Sequence, residues 1–394
     1  MRVQAAMLSV VFFSIALLSG CGGGSGYSGG GGGGGGSSPA AAPAISTTAA
    51  QNGAVIASLS DATANATIFY TVDGSTPTTA SQVYEAPFLV ASNLTIKAIA
   101  TASGHSASPV TSQAFSPNIA PGTLVWSDEF TNTTATILPP DPTIWTYDTG
   151  NSGFGNNELE TYCAWGSNTA PCNSASPNAF VGTDGYLHIV AMQPTAGVKT
   201  YTSARLKSQG LMSFTYGRIE AKMKLPESQG MWPAFWMLGN NITKISWPAC
   251  GELDIMEHID GSNPAPYVGG TPPGYDWFAG SVHGGTGGGS AEINSSDQNH
   301  PTGYSAAAWH TYGMIWSKGE IDYYLDDPVN GVYATFKSTD AQWTSGTNNL
   351  WPFDAGPQFI ILNLAVGGDW PGNPDATTVF PSEMTVDYVR VYAN

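Results

Sequence analysis

Gly251-Glu252-Leu253-Asp254-Ile255-Met256-Glu257-His258-Ile259-Asp260 places three acids within six residues, Glu252 to Glu257, with apolar residues between them. Side chains alternate faces along a strand. Glu252 and Asp254 therefore share one face, while Leu253 and Ile255 turn into a core. A regular strand would put Met256 on the acidic face and Glu257 on the apolar one. A buried, unpaired carboxylate costs several kcal/mol. One β-bulge near Ile255-Met256 adds a residue and returns Glu257 to the side of Glu252. The bulged strand is the expectation. Three acids on one face fit a calcium or magnesium site, which needs about six oxygens. They also fit a solvated surface, or a glycosidase pair of nucleophile and proton donor, held about 5–5.5 Å apart in retaining enzymes.

Strand-like runs recur on both sides of this segment: Tyr186–Val190, Gly217–Leu225, Glu320–Leu325, Gln358–Leu364 and Thr385–Tyr392. Several alternate polar with apolar residues, the mark of half-buried antiparallel strands. Gly, Pro, Asn and Ser fill the intervals, and long helical periodicity is nearly absent. Residues 122–394 thus read as one all-β domain, a β-jelly-roll sandwich. Pro117 to Pro121 reads as a hinge. Ahead of it, residues 44–117 alternate short β-rich runs with turns, as in Ala66–Val72, the turn Asp73-Gly74-Ser75-Thr76-Pro77, and Leu94–Ala100. That spacing predicts a small second β-sandwich.

The formal net charge is -17, yet only 10% of the 394 residues are charged, and Lys and Arg total 12. Nucleic acid is excluded as a partner, because phosphate binding needs clustered cations. A strongly anionic polymer is disfavoured for the same reason, and a neutral polymer fits better. Twelve Trp and 17 Tyr supply flat amphipathic surface suited to core or to sugar faces.

The N-terminus carries Arg2, then an apolar run from about Met7 to Leu18, then Leu18-Ser19-Gly20-Cys21. The run is short for a membrane span and reads as the core of a signal peptide. The tetrapeptide resembles a bacterial lipobox. That implies cleavage before Cys21 and lipid on its thiol, so residues 1–21 read as a lipoprotein signal. Residues 22–43, nearly all Gly and Ser at first, form a flexible linker. The expected location is an outer-membrane or cell-surface lipoprotein, otherwise a secreted protein. The chain is expected to be a monomer that meets the membrane through this anchor alone. In an oxidising compartment Cys163 and Cys172, nearby in one loop, can close a disulfide. Cys250 is left as a buried thiol, and no paired metal-ligand spacing occurs.

With Gly230-Met231-Trp232-Pro233-Ala234-Phe235-Trp236-Met237-Leu238 just upstream, the acidic segment resembles glycoside hydrolase family 16, the laminarinase-like group. Further pieces match in order: Trp126–Phe130, Gly155–Leu159, Ser203–Leu206, Tyr216–Ala221, Ser281–His283, Trp309–Tyr312, Asn363–Gly372 and Asp387–Tyr392. The smaller region, with YTVDGSTPT and TIKAIA, resembles the immunoglobulin-like domain beside chitobiase and other bacterial carbohydrate enzymes. It implies a spacer or accessory module.

The resemblance implies a concanavalin-like jelly roll with a glycan cleft. Matched residue by residue, Glu252 is the nucleophile, Glu257 the general acid/base and Asp254 the assisting acid. Trp232 and Trp236, four apart, are expected to face the cleft and stack on sugars. Asn156, Glu158 and Arg205 match positions that contact sugar hydroxyls. His283 is expected near the reacting sugar, and Trp370, in a Gly-rich loop, as an exposed binder. Glu129 and Asp387 match the place of a structural calcium; no cofactor is implied for catalysis. The family's usual glycine after the Asp-Glu-Phe segment is absent, since Thr131-Asn132-Thr133 follows. The expected activity is retaining endo-hydrolysis of β-1,3 bonds in laminarin-like or mixed-linkage β-glucans. An agarase-like galactan hydrolase, a transglycosylase and a non-catalytic cell-surface glycan-binding protein are the alternatives.

Overall fold

A computed structural model describes residues 37–193, 200–259, 277–286, 293–299, 301–345 and 349–394. Cys21, the signal segment and the start of the Gly-rich linker lie outside them. Ser38 to Asn394 form one compact unit.

Two large sheets dominate this unit. One runs, in spatial order, Ser213–Phe214, Gln358–Val366, Met231–Gly239, Glu252–Glu257, Phe278–Gly284 and Ile293–Asn299, with Arg205–Lys207 also paired to Gln358–Val366. The other runs Ala179–Val181, Leu187–Ala191, Ser382–Tyr392, Gly217–Lys224, His310–Ser317, Glu320–Leu325 and Val332–Lys337, with Leu124–Asp128 paired to Ser382–Tyr392. Their facing side chains make the main core. Phe235, Leu253, Met256, Ile360, Leu362 and Leu364 come from the first sheet, and Ile219, Met223, Met314, Trp316, Val386 and Val391 from the second. Each is essentially fully buried, and burying a side chain of this size is worth about 1.5–3 kcal/mol. The expected jelly-roll sandwich is what forms.

The alternation within Met231–Gly239 shows how sequence sets the faces. Phe235 and Met237 are buried in the core, whereas Trp232 and Trp236 are half-exposed on the other side. Pro233 lies inside this strand where the ladder to its acidic neighbour ends, one position past Ala234 with Glu257. Its carbonyl still accepts from the His258 amide at 3.3 Å, so only the reciprocal bond is missing, at the end of the ladder where Pro is tolerated.

The smaller region folds as a sheet of Gln82–Val83, Thr67–Thr71, Leu94–Thr101 and Thr111–Phe115, facing the strands Ala44–Ala49, Val55–Ser60 and Phe88–Val90. Tyr70, Phe88, Ile96 and Ala98 form its own core. This region, expected as a spacer or accessory module, is joined to the large sheet at one seam. Phe88–Val90 pairs in parallel with Ser213–Phe214, so the large sheet runs through both regions as eleven strands. Cys163 and Cys172 form a disulfide with Cα atoms 5.6 Å apart, and Cys250 is free and buried.

Candidate active site

The acidic strand carries the expected bulge. Trp236 pairs with Asp254 and Phe235 with Met256, so Ile255 has no partner on that side. On the other side Asp254 faces Ser281 and Glu257 faces Ala279. Ile255 and Met256 together span one position of the neighbouring strand, and both enter the core with Leu253. Glu257 thereby returns to the face of Glu252 and Asp254.

That face floors a cleft of about 700 Å³. All ten residues expected as catalytic or sugar-binding line it: Glu252, Asp254, Glu257, Trp232, Trp236, Asn156, Glu158, Arg205, His283 and Trp370. His283 stands directly across the ladder from Glu252. Its Nε2 lies 3.0 Å from Asp254 Oδ2 and 3.9 Å from Glu252 Oε1. Trp370 is half-buried rather than exposed, its ring edge-on to Trp232 at 5.1 Å. The turn behind it requires glycine, because a Cβ on Gly368 would come within 2.7 Å of the Asn156 carbonyl oxygen. Asn157 closes this contact, its Nδ2 donating to both carboxylate oxygens of Asp369.

Hydrogen bonds fix the walls. Trp236 Nε1 donates to Asn363 Oδ1 at 2.7 Å. Asn363 Nδ2 donates to Tyr162 Oη, which donates to Glu158 Oε2 at 2.9 Å. Arg205 is held by Asp148 at 3.0 Å and lies over the Trp236 ring at 4.6 Å. Sequence reasoning missed Asn363 and Trp247. Asn363, a polar residue inside an otherwise apolar run, was a readable signal; Trp247, five residues before Glu252, shows its exposure only in the structure.

The electrostatics separate the two glutamates. Burial, then the charge of Asp254, pushes the Glu252 carboxyl up, but His283, Arg205 and a hydrogen bond from Trp247 Nε1 at 3.0 Å favour its ionised form. Burial, Asp254 and Glu252 push Glu257 well above the carboxylate range, opposed by His283 and by Trp232 Nε1, which donates to its Oε1 at 3.0 Å. Glu257 is therefore the better proton holder and Glu252 the better anion. Behind the wall, burial and Glu158 push the Glu160 carboxyl up to about 8.

Glu252, Asp254 and His283 place ligand atoms within 4.8 Å of one another. Two carboxylates and an imidazole do not supply the oxygen-rich shell that calcium or magnesium prefers. The two acids expected as calcium ligands each lie beside a basic side chain. Glu129 accepts two hydrogen bonds from Arg390, at 2.9 and 2.8 Å. Asp387 accepts one from Lys222 at 2.8 Å. Each acid is paired with a cation.

Comparison with known proteins agrees with this geometry. The model of glycosyl hydrolases family 16 matches residues 179–390, and the Fn3 associated model matches residues 58–115. Beta-glucanase of Rhodothermus marinus is 39% identical over 68% of this chain and 84% of its own length. Glucan endo-1,3-beta-glucosidase A1 of Niallia circulans is 34% identical over 70% of this chain, but the match covers only 38% of that protein. The laminarinase catalytic domain from Thermotoga maritima MSB8 is 36% identical, covers 70% of this chain and 99% of that domain, and superposes with a TM-score of 0.55. With the acidic motif, the bulge and the cleft all in place, this chain belongs to glycosyl hydrolases family 16.

Proposed function

We propose that this chain hydrolyses internal β-1,3-glucosidic bonds in laminarin-like or mixed-linkage β-glucans, with retention of configuration. The observation that carries this reading is the bulged strand, which sets Glu252, Asp254 and Glu257 side by side on the floor of an indole-lined cleft.

Glu252, in its ionised form and hydrogen-bonded by Trp247, attacks the anomeric carbon. Glu257 gives its proton to the departing glycosidic oxygen, and a glycosyl ester forms on Glu252. Glu257, now a carboxylate, takes a proton from water as that water attacks the ester, which regenerates both groups. Asp254, between them in sequence and 4% exposed, raises the Glu257 pKa and lies 3.0 Å from His283 Nε2. Trp232, Trp236 and Trp370 offer apolar faces to glucose rings, while Asn156, Glu158 and Arg205 offer hydrogen bonds to hydroxyls.

Reducing-sugar release from laminarin, lichenan and agarose tests the assignment. Release from laminarin is expected; activity on agarose alone would sink it. Glu252→Gln is expected to abolish turnover while leaving glucan binding, which separates the enzyme from a sugar-binding protein.

Export and lipid anchoring through Cys21 complete the reading. The basic start, the apolar run and Leu18-Ser19-Gly20-Cys21 support it. Labelled fatty acid is expected on the wild-type protein and absent from Cys21→Ser; equal labelling would remove the anchor from the account.

A further inference from the structure

The accessory region does not stand apart from the cleft. In the seam between Phe88–Val90 and Ser213–Phe214, Ser213 lies opposite Phe88 and Phe214 opposite Leu89. Leu89, 2% exposed, belongs to the main core rather than to the small one. Gln82 is buried against Gly356, where a Cβ would meet its side chain at 2.9 Å.

Next to this seam runs the connection from Asn240 to Cys250, between the Met231–Gly239 and Glu252–Glu257 strands. It carries Ile242 and Trp247, both on the cleft wall, and Trp247 is the residue that donates to Glu252. Contacts reach this connection from the accessory region along two routes. The Thr243 hydroxyl donates to the Glu85 carboxylate. Asn240 Nδ2 donates to Ser213 Oγ at 3.4 Å, and Ser213 Oγ donates to the Pro87 carbonyl at 3.3 Å. Ser213 and Asn240 are both buried, so the second route is shielded from water.

We propose that the accessory region, which contributes no lining residue itself, braces one wall of the cleft from behind. Glu85 and Ser213 are positioning residues: they hold the Asn240–Cys250 connection so that Ile242 and Trp247 keep their places beside Glu252. A surface connection rich in turns opens readily unless tied. Small displacements of a positioned group are felt strongly in an active site. Trp247 is at the Glu252 end of the acidic strand, away from the proton donor Glu257. Loosening it therefore weakens the hold on the sugar chain in ground and transition states alike, and this raises KM more than it lowers kcat. It also loosens the bond from Trp247 that favours ionised Glu252. The proposal rests on the hydrolytic reading above.

The test uses the full chain carrying Glu85→Ala together with Ser213→Ala. KM for laminarin is expected to rise about threefold to tenfold, the scale of one or two modest hydrogen bonds, with kcat within about twofold of wild type. The acidic limb of the pH profile should move upward, and amide hydrogen exchange over residues 240–250 should speed up. Glu85→Gln alone should stay near wild type, because its amide oxygen still accepts from Thr243. Wild-type KM and wild-type exchange in the double variant would overturn the proposal, as would a loss confined to kcat. A wild-type chain active on agarose but not laminarin refutes the substrate assignment, and the same comparison is then run on agarose. A wild type inert on every glycan refutes the hydrolase reading, and exchange over residues 240–250 still decides the brace.

Discussion

Trp232 donates its indole hydrogen to Glu257 across 3.0 Å. A ring that lines the cleft thus also holds the group proposed as proton donor. The bond favours the carboxylate, against burial and the charges of Asp254 and Glu252, which favour the acid. Trp232→Phe keeps an aromatic face and deletes the donor, so the Glu257 pKa rises further. The general acid sets the alkaline limb of kcat/KM. That limb should move to higher pH, by roughly one unit for a bond worth about 1.4 kcal/mol. A pH–rate series on laminarin checks it, and an unmoved alkaline limb would count against Glu257 as the acid.

Trp247 plays the matching part for Glu252, donating to its Oε2 at 3.0 Å. The nucleophile must be ionised, so it sets the acidic limb. Trp247→Phe removes a contact that favours the anion, and the Glu252 pKa rises. The acidic limb should then move to higher pH while the alkaline limb stays. The two limbs belong to a coupled set of carboxyls, so the informative result is which limb moves in which variant. If both variants moved the same limb, the division of roles between Glu252 and Glu257 would be wrong.

The bulge was legible because strand periodicity is strict: three acids and three apolar residues cannot all be placed without one extra residue. The cleft indoles were legible for the same reason, four apart on one face. What failed was cross-strand pairing, which one sequence does not display. Arg390 pairs with Ser127, which sets its guanidinium diagonally beside Glu129, and Lys222 pairs with Tyr388, which sets its amine beside Asp387. Those registers put cations where a calcium was expected. The seam with the accessory region was invisible for a related reason. Ser213–Phe214 is a strand of only two residues, too short to carry a periodic signal. Asn363 was readable, since a polar side chain inside Gln358–Val366 must find a partner, and it finds Trp236 and Tyr162.

Glu160 is fully buried, and its carboxyl is pushed up to about 8 by burial and by Glu158. Its Oε2 accepts a hydrogen bond from the Val366 amide at 2.6 Å. Below the unfolded carboxyl pKa both states hold the proton, and the group is neutral for stability. Between that pKa and about 8 the unfolded chain releases the proton while the folded chain keeps it, so stability falls as pH rises through this window. Glu160→Gln keeps an acceptor for Val366 and cannot ionise. The melting temperature of this variant, relative to wild type, should therefore climb from pH 5 to pH 8. The free-energy scale is about 1.4 kcal/mol per pH unit. A constant difference across that range would show that Glu160 is ionised in the folded protein.

Ile255 is the residue without a ladder partner, and the neighbouring strand has no extra residue to match it. Deleting Ile255 leaves Glu252-Leu253-Asp254-Met256-Glu257, in which plain alternation already puts all three acids on one face and both apolar residues on the other. The partners Ala234 and Trp236 do not change, so the spacing of the acids along the ladder is preserved. The core loses a side chain that is 1% exposed; large-to-small changes at such sites cost about 2–5 kcal/mol. The deletion should therefore lower the melting temperature yet leave measurable hydrolysis, within about a hundredfold of wild type, the usual effect of a misplacement near 1 Å. Glu257→Gln provides the floor, because losing the general acid removes about 10²–10⁴ in rate. Initial rates of reducing-sugar release on folded protein compare the two. If the deletion variant fell to that floor, the bulge would be required to aim Glu257 and not only to return it to the cleft.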